Sequence, residues 1–177
     1  MNYGAIKQKD IANGIGVRVS LFVSGCRNAC PECFNRETWA FDYGRPFDEE
    51  ARSLIFGELS LPYVDGLSVL GGEPFEPENQ AVLAPFLREC RTRFPGKSIW
   101  CYTGCLFDTE LMREGSRVHT ADTLPMLQTL DILVDGRYVS ALHDITLQFR
   151  GSSNQRVIDV PRTLQSGEIV IWNQLRK

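Results

Sequence analysis

The chain contains no apolar run near the roughly 20 residues that a membrane span requires. It also lacks a basic face. Its 19 Lys and Arg residues are scattered, and with 22 acidic residues they leave a formal charge of −3. General nucleic-acid binding is not expected from such a surface. The opening MNYGAIKQKDIANG has neither the basic start nor the apolar stretch of a secretory signal, so the expected location is the cytosol. Histidine is scarce, with only His119 and His143, neither at ligand spacing from a cysteine; both read as surface residues. There is no internal repeat or low-complexity tract. The remaining composition is that of an ordinary globular protein, 43% hydrophobic and 23% charged over 177 residues. One domain spanning residues 1–177 is expected, with a core of its own.

Cysteine is not scarce. The chain has six, and in a reducing compartment these point to metal or redox chemistry rather than to a disulfide framework. Their placement depends on the pattern around them. Val17 to Val23 (VRVSLFV) is β-branched and apolar between glycines, which predicts a strand. Asp48 to Leu59 has apolar residues at helical spacing behind a capping Asp. Strands are predicted at Gly66–Leu70, Ser98–Tyr102 and Leu130–Val134. A helix is predicted from Glu78 to Phe94, stopped by Pro95 and Gly96, and a short one from Phe107 to Arg113. Beyond Asp144, TLQFRGSSNQRVIDV reads as strand, turn and strand. This alternation is the signature of an α/β fold with a mostly parallel sheet. The unusual residues all follow strands, at the edge where α/β folds bind ligands.

The first such edge is FVSGCRNACPECFN, which places Cys26, Cys30 and Cys33 in one short loop with C-x3-C-x2-C spacing. Thiolates suit iron–sulfur clusters and zinc. Structural zinc takes four protein ligands, and no His or fourth Cys lies nearby to complete a set. Three thiolates hold three irons of a cubane and leave the fourth open, so the spacing favours a [4Fe–4S] cluster over zinc. Cys90 falls in a helix pattern and Cys101 inside a strand; with Cys105 these read as buried apolar thiols.

The cysteine motif resembles the radical S-adenosylmethionine (SAM) signature. More of the chain resembles the activating proteins of anaerobic ribonucleoside-triphosphate reductases within that superfamily. The resemblance runs through DIANGIGVRVSLFVSGC, NRETW, GGEP, KSIWCYTG, DILVDGRY and FRGSSNQ in that order. Two features depart from the pattern. Glu32 stands where many superfamily members carry an aromatic residue, with Phe34 after Cys33, and the stretch from Cys105 to Thr129 is longer than usual.

The resemblance implies a partial (β/α) barrel of the radical SAM type. It implies that SAM binds against the cluster, with Glu32, Cys33 and Phe34 beside it. Gly71-Gly72-Glu73-Pro74, as plain structure a tight turn, would hold the methionine amino group, Glu73 accepting from it. Thr103 would lie near SAM, although Tyr102 replaces the Asp that often precedes it. Asp135 and Arg137 would meet the ribose, or a cation, and the SAM carboxylate; the alternative is a surface Asp-Gly turn. Arg150 to Asn154 would face the partner or SAM.

The chemistry implied is reductive cleavage of SAM, driven by a flavodoxin-like electron donor. Hydrogen would then be abstracted from a glycine of the large anaerobic ribonucleotide reductase, leaving a glycyl radical. The alternatives are a radical SAM enzyme acting on a small molecule or on another glycyl-radical enzyme, and a non-catalytic zinc or iron–sulfur module.

Overall fold

A computed structural model of the chain describes residues 1–173, so the last four residues of the expected domain lie outside the described residues. Seven strands form one open sheet: β1 (Asn2–Asp10), β2 (Arg18–Val23), β3 (Arg45–Pro46), β4 (Gly66–Gly71), β5 (Ser98–Tyr102), β6 (Ile132–Asp135) and β7 (Arg156–Asp159). Their order is β3-β1-β2-β4-β5-β6-β7. The four central strands β2, β4, β5 and β6 are parallel, while β1, β3 and β7 add antiparallel edges. The sheet is mixed α/β and does not close into a barrel.

Alternation along the strands sorts the sheet into two faces. Val19, Leu21 and Val23 of β2, with Leu67 and Val69 of β4, are fully buried in the main core. Two helices supply the rest of that core: α1 (Glu49–Leu59) through Ile55, Phe56 and Leu59, and α2 (Pro77–Arg93) through Leu83, Phe86, Leu87 and Cys90. Asp48 caps α1 as its position predicts, accepting from the Ala51 N–H at 3.1 Å.

The opposite face carries a smaller cluster of Trp100, Ile132, Val134, Val157 and Trp172. It also carries a buried cation with no signal in the sequence. Arg18 is fully buried, and its guanidinium donates to Ser68 Oγ, Ser98 Oγ and the carbonyls of Ile15, Leu67 and Ser98 at 2.7–3.2 Å. All five N–H donors are satisfied by neutral acceptors, which makes the burial tolerable. Burial lowers the Arg18 pKa to about 10, so the group stays charged at neutral pH.

Two expectations need correction, and two short helices have no counterpart in the sequence pattern. The helix predicted from Phe107 to Arg113 is a π-type turn over Phe107–Leu111. The helical segments α3 (Thr123–Leu127) and α4 (Val160–Ser166) were not legible as helices. Of the strand-turn-strand expected beyond Asp144, only β7 is a strand. Asp144 binds the Thr146 N–H and hydroxyl, and Gln155 Oε1 accepts from the N–H groups of Gly151 and Ser152. These local side-chain bonds replace a ladder.

Candidate functional site

The carboxyl ends of the parallel strands surround one cavity of about 430 Å³ that opens to solvent. Each strand contributes the residues just beyond it. From the loop after β2 come Cys26, Cys30, Glu32, Cys33 and Phe34; from β4, Gly71, Gly72 and Glu73; after β5, Thr103 and Gly104; after β6, Gly136 and Tyr138. The loop before β7 adds His143, Gly151 and Gln155.

The three loop cysteines are free and part-exposed on this wall, whereas Cys90, Cys101 and Cys105 are buried in the core. The loop is turned by left-handed residues: Gly25 (φ 95°), Ala29 (φ 46°) and Glu32 (φ 58°). At Gly25 a side chain would strike the Phe41 ring, at 2.4 Å. Burial pushes the Cys26 thiol up to about 11, and the carboxylates of Glu73 and Glu76 push the same way. Burial also raises Cys30. Thiolates here need a nearby cationic centre, and its assembly must release protons. Among the described residues no three Cys, His, Asp or Glu side chains are set to hold a single metal ion. A cubane hands each thiolate to a different iron, so three soft donors on one wall of the cavity fit an iron–sulfur cluster.

The GGEP turn is bound tightly to the cysteine loop. Gly72 N–H donates to Val23 O at 2.8 Å and Glu73 N–H to Gly25 O at 2.9 Å. A Cβ at Gly72 would sit 2.7 Å from Gly25 O, so only glycine permits this approach. Pro74 is buried behind the turn and does not line the cavity.

Glu73 differs from its expected role as an open acceptor. It is fully buried, and its carboxylate accepts four bonds from the protein. Oε1 takes the Thr103 hydroxyl (2.6 Å) and the Phe75 N–H (2.9 Å). Oε2 takes Asn28 Nδ2 and the Gly104 N–H, both at 2.8 Å. Burial raises the carboxyl from its usual range, and the Thr103, Phe75 and Gly104 donors oppose the rise. Glu73 therefore joins the cysteine loop, the GGEP turn and the end of β5.

Asp135 and Arg137 are placed outside the cavity wall. The β6–β7 register sets Asp135 opposite Arg156, whose Nε and Nη2 grip the buried carboxylate, while Phe107 N–H donates to it at 2.8 Å. Arg137 pairs with Glu110 at 2.8 Å. The cavity instead receives Gly136 and Tyr138 from this turn. Sequence spacing alone did not reveal the β7 partner that takes Asp135.

His143 is exposed, as expected, and also lines the cavity. Gln155 holds the loop before β7 against the β6 turn by donating to Gly136 O at 3.0 Å. Its position at the end of FRGSSNQ was the only available signal.

Comparison with known proteins places the chain in a family. The family model described as a 4Fe-4S single cluster domain matches residues 12–158. The chain is 40% identical over 159 residues to the anaerobic ribonucleoside-triphosphate reductase-activating protein of Pasteurella multocida (strain Pm70), covering 88% of this chain and 95% of that one. The protein of that name from Escherichia coli (strain K12) is 38% identical, with 89% and 97% covered. That from Enterobacteria phage T4 is 36% identical, with 89% and 93% covered. With a cluster-domain match over most of its length and relatives aligned nearly end to end, this chain belongs to the family of anaerobic ribonucleoside-triphosphate reductase-activating proteins.

Proposed function

We propose that the protein is a radical SAM enzyme that activates an anaerobic ribonucleoside-triphosphate reductase by generating a glycyl radical on it. The observation that carries this reading is the composition of the cavity wall: three thiols, no fourth, and beside them a glycine turn whose backbone is bare. Cys26, Cys30 and Cys33 would hold a [4Fe–4S] cluster with one iron left open. Cluster and SAM together would supply a carbon radical able to remove a hydrogen atom from a reductase glycine.

The chain's own residues bind, orient and exclude water. Gly71 and Gly72 let the turn pack against the backbone of Val23 and Gly25 and line the cavity beside the thiols, and a cavity of about 430 Å³ suits a molecule the size of SAM. Thr103 also lines the cavity, its hydroxyl donating to Glu73 at 2.6 Å. On this reading the open sheet is a partial barrel whose missing side the reductase covers. Phe34, 99% exposed at the rim, and the exposed Val139, Leu142 and Ile145 near His143 offer an apolar collar for that partner. Sealing by the partner would keep a reactive radical away from water. The electron is assigned to a flavodoxin-like donor.

The test is anaerobic reconstitution with iron and sulfide, followed by SAM cleavage under reductant. Cluster formation with 5′-deoxyadenosine release is expected. Iron uptake without SAM cleavage, or zinc binding in its place, would overturn the reading in favour of a non-catalytic module.

A further inference from the structure

The segment from Cys105 to Thr129 contributes no residue to the cavity wall. It is attached firmly to α2. Gln80, fully buried, donates to Val118 O at 2.7 Å and accepts from the hydroxyls of Thr120 (2.9 Å) and Thr123 (2.7 Å). Val118 is itself buried. The residue just before it, Arg117, is thereby carried on a fixed mount and reaches the cysteine loop at two points.

The first point is Glu76, a fully buried carboxylate at the start of α2. Its Oε1 accepts the backbone N–H of Arg27 at 2.8 Å, one residue beyond Cys26. Its Oε2 accepts from Arg27 Nη1 at 2.7 Å and from Arg117 Nη1. The second point is Asn28, midway between Cys26 and Cys30. Arg117 Nη2 donates to Asn28 Oδ1 at 3.2 Å, and Asn28 Nδ2 donates to Glu73 Oε2 at 2.8 Å. An amide can turn end over end, and either end fills the same space. The guanidinium at Oδ1 fixes which end faces Glu73. If the amide were reversed, Oδ1 would confront a carboxylate oxygen and a donor would confront Arg117.

We infer that Arg117 is a positioning residue for the cysteine loop: its planar fork locks Glu76 and the Asn28 amide, and through them the backbone that carries Cys26 and Cys30. The inference rests on the reading of that loop as the cluster site. It also gives the longer segment between β5 and β6 a function, namely to deliver one cation to a site crowded with anions. Glu73 and Glu76 are both fully buried, and both are hydrogen-bonded to the cysteine loop. Arg27 offsets part of that charge from within the loop, but it is also shared with the exposed Glu78. Lysine cannot replace the fork at both points, because one ammonium is a point charge and does not span two acceptors in a plane.

The experiment compares Arg117→Met and Arg117→Lys with the parent protein, using amide hydrogen exchange of the metal-free protein and the rate of iron loss to a chelator after reconstitution. Arg91→Met is the control. Arg91 makes a similar part-buried ion pair with Asp131, away from the loop. In Arg117→Met, exchange across residues 26–30 is expected to rise about tenfold, the equivalent of one charge-assisted hydrogen bond. Iron loss should accelerate alongside it, β4 and β5 should keep their protection, and Arg117→Lys should fall between. Arg91→Met should leave the loop unchanged. Parent-like exchange and iron retention in Arg117→Met would overturn the inference, as would equal acceleration in β4 and β5, which is the mark of general destabilisation. If the parent protein took up no iron, the cluster reading would fail, and the exchange comparison would still decide the role of Arg117.

Discussion

Replacing Glu73 by Gln tests whether this carboxylate is a brace. Glutamine keeps the shape and removes the charge, but it presents only one acceptor oxygen. Four donors now converge on Glu73: the Thr103 hydroxyl, the N–H groups of Phe75 and Gly104, and Asn28 Nδ2. Whichever way the new amide turns, its own N–H groups meet two of those donors. Asn28 has little freedom to relieve this, because Arg117 holds its Oδ1. A buried donor left without an acceptor costs about 1–3 kcal/mol. Two of them, less the relief of no longer burying a charge, give a net loss of roughly 3 kcal/mol. For a chain of this size that corresponds to a fall in Tm of about 6–12 °C. Thermal unfolding of the metal-free protein at neutral pH measures it. A Glu73→Gln protein as stable as the parent, or more so, would refute the reasoning, because it would show that the charge burial outweighs the four bonds. Loss of stability with no change in reconstituted iron would also separate the brace from the thiols it supports.

Replacing Cys26, Cys30 or Cys33 singly by Ala should abolish stable cluster content, measured as iron and sulfide per chain. Ala at Cys90, Cys101 or Cys105 should leave it intact, with a stability loss of about 1 kcal/mol from each small core void. Gly72→Val should impair iron uptake as well as SAM binding, because the new Cβ would press on Gly25 O beside Cys26; normal iron content with weakened SAM binding would show instead that the turn contacts only the ligand. Arg27 draws the Glu78 pKa from 4.5 down to about 2, so this group contributes stability above 4.5 that disappears as pH falls towards 2. Glu78→Gln should flatten acid unfolding slightly in that window, the pair being half-exposed; an unchanged acid limb would count against it.

Much of this arrangement is readable in the residues, because glycines and cysteines mark strand ends. VRVSLFV, GLSVL and SIWCY form β2, β4 and β5 close to their expected bounds, since continuous apolar runs suit strands buried on both faces. Strand β1, between the two-residue β3 and β2, left no such pattern. NYGAIKQKD is mostly polar, and its pairing with β2 depends on backbone bonds the sequence does not display. The cysteine loop was legible from spacing alone. The fates of Glu73 and Asp135 were not: each is decided by partners 21–45 residues away, such as Asn28, Phe107 and Arg156, that only the folded sheet brings near. Arg18 escaped for the same reason, being satisfied by groups up to 80 residues distant.

The central claim is transfer of a hydrogen atom from a reductase glycine to SAM-derived adenosyl carbon at the mouth of this cavity. It is tested most directly by deuterating the glycines of the partner reductase and incubating it anaerobically with reconstituted protein, SAM and reductant. Deuterium in the 5′-deoxyadenosine, with a glycyl doublet in the electron paramagnetic resonance spectrum of the reductase, is the predicted result. SAM cleavage with no deuterium in the product and no glycyl signal would contradict the account.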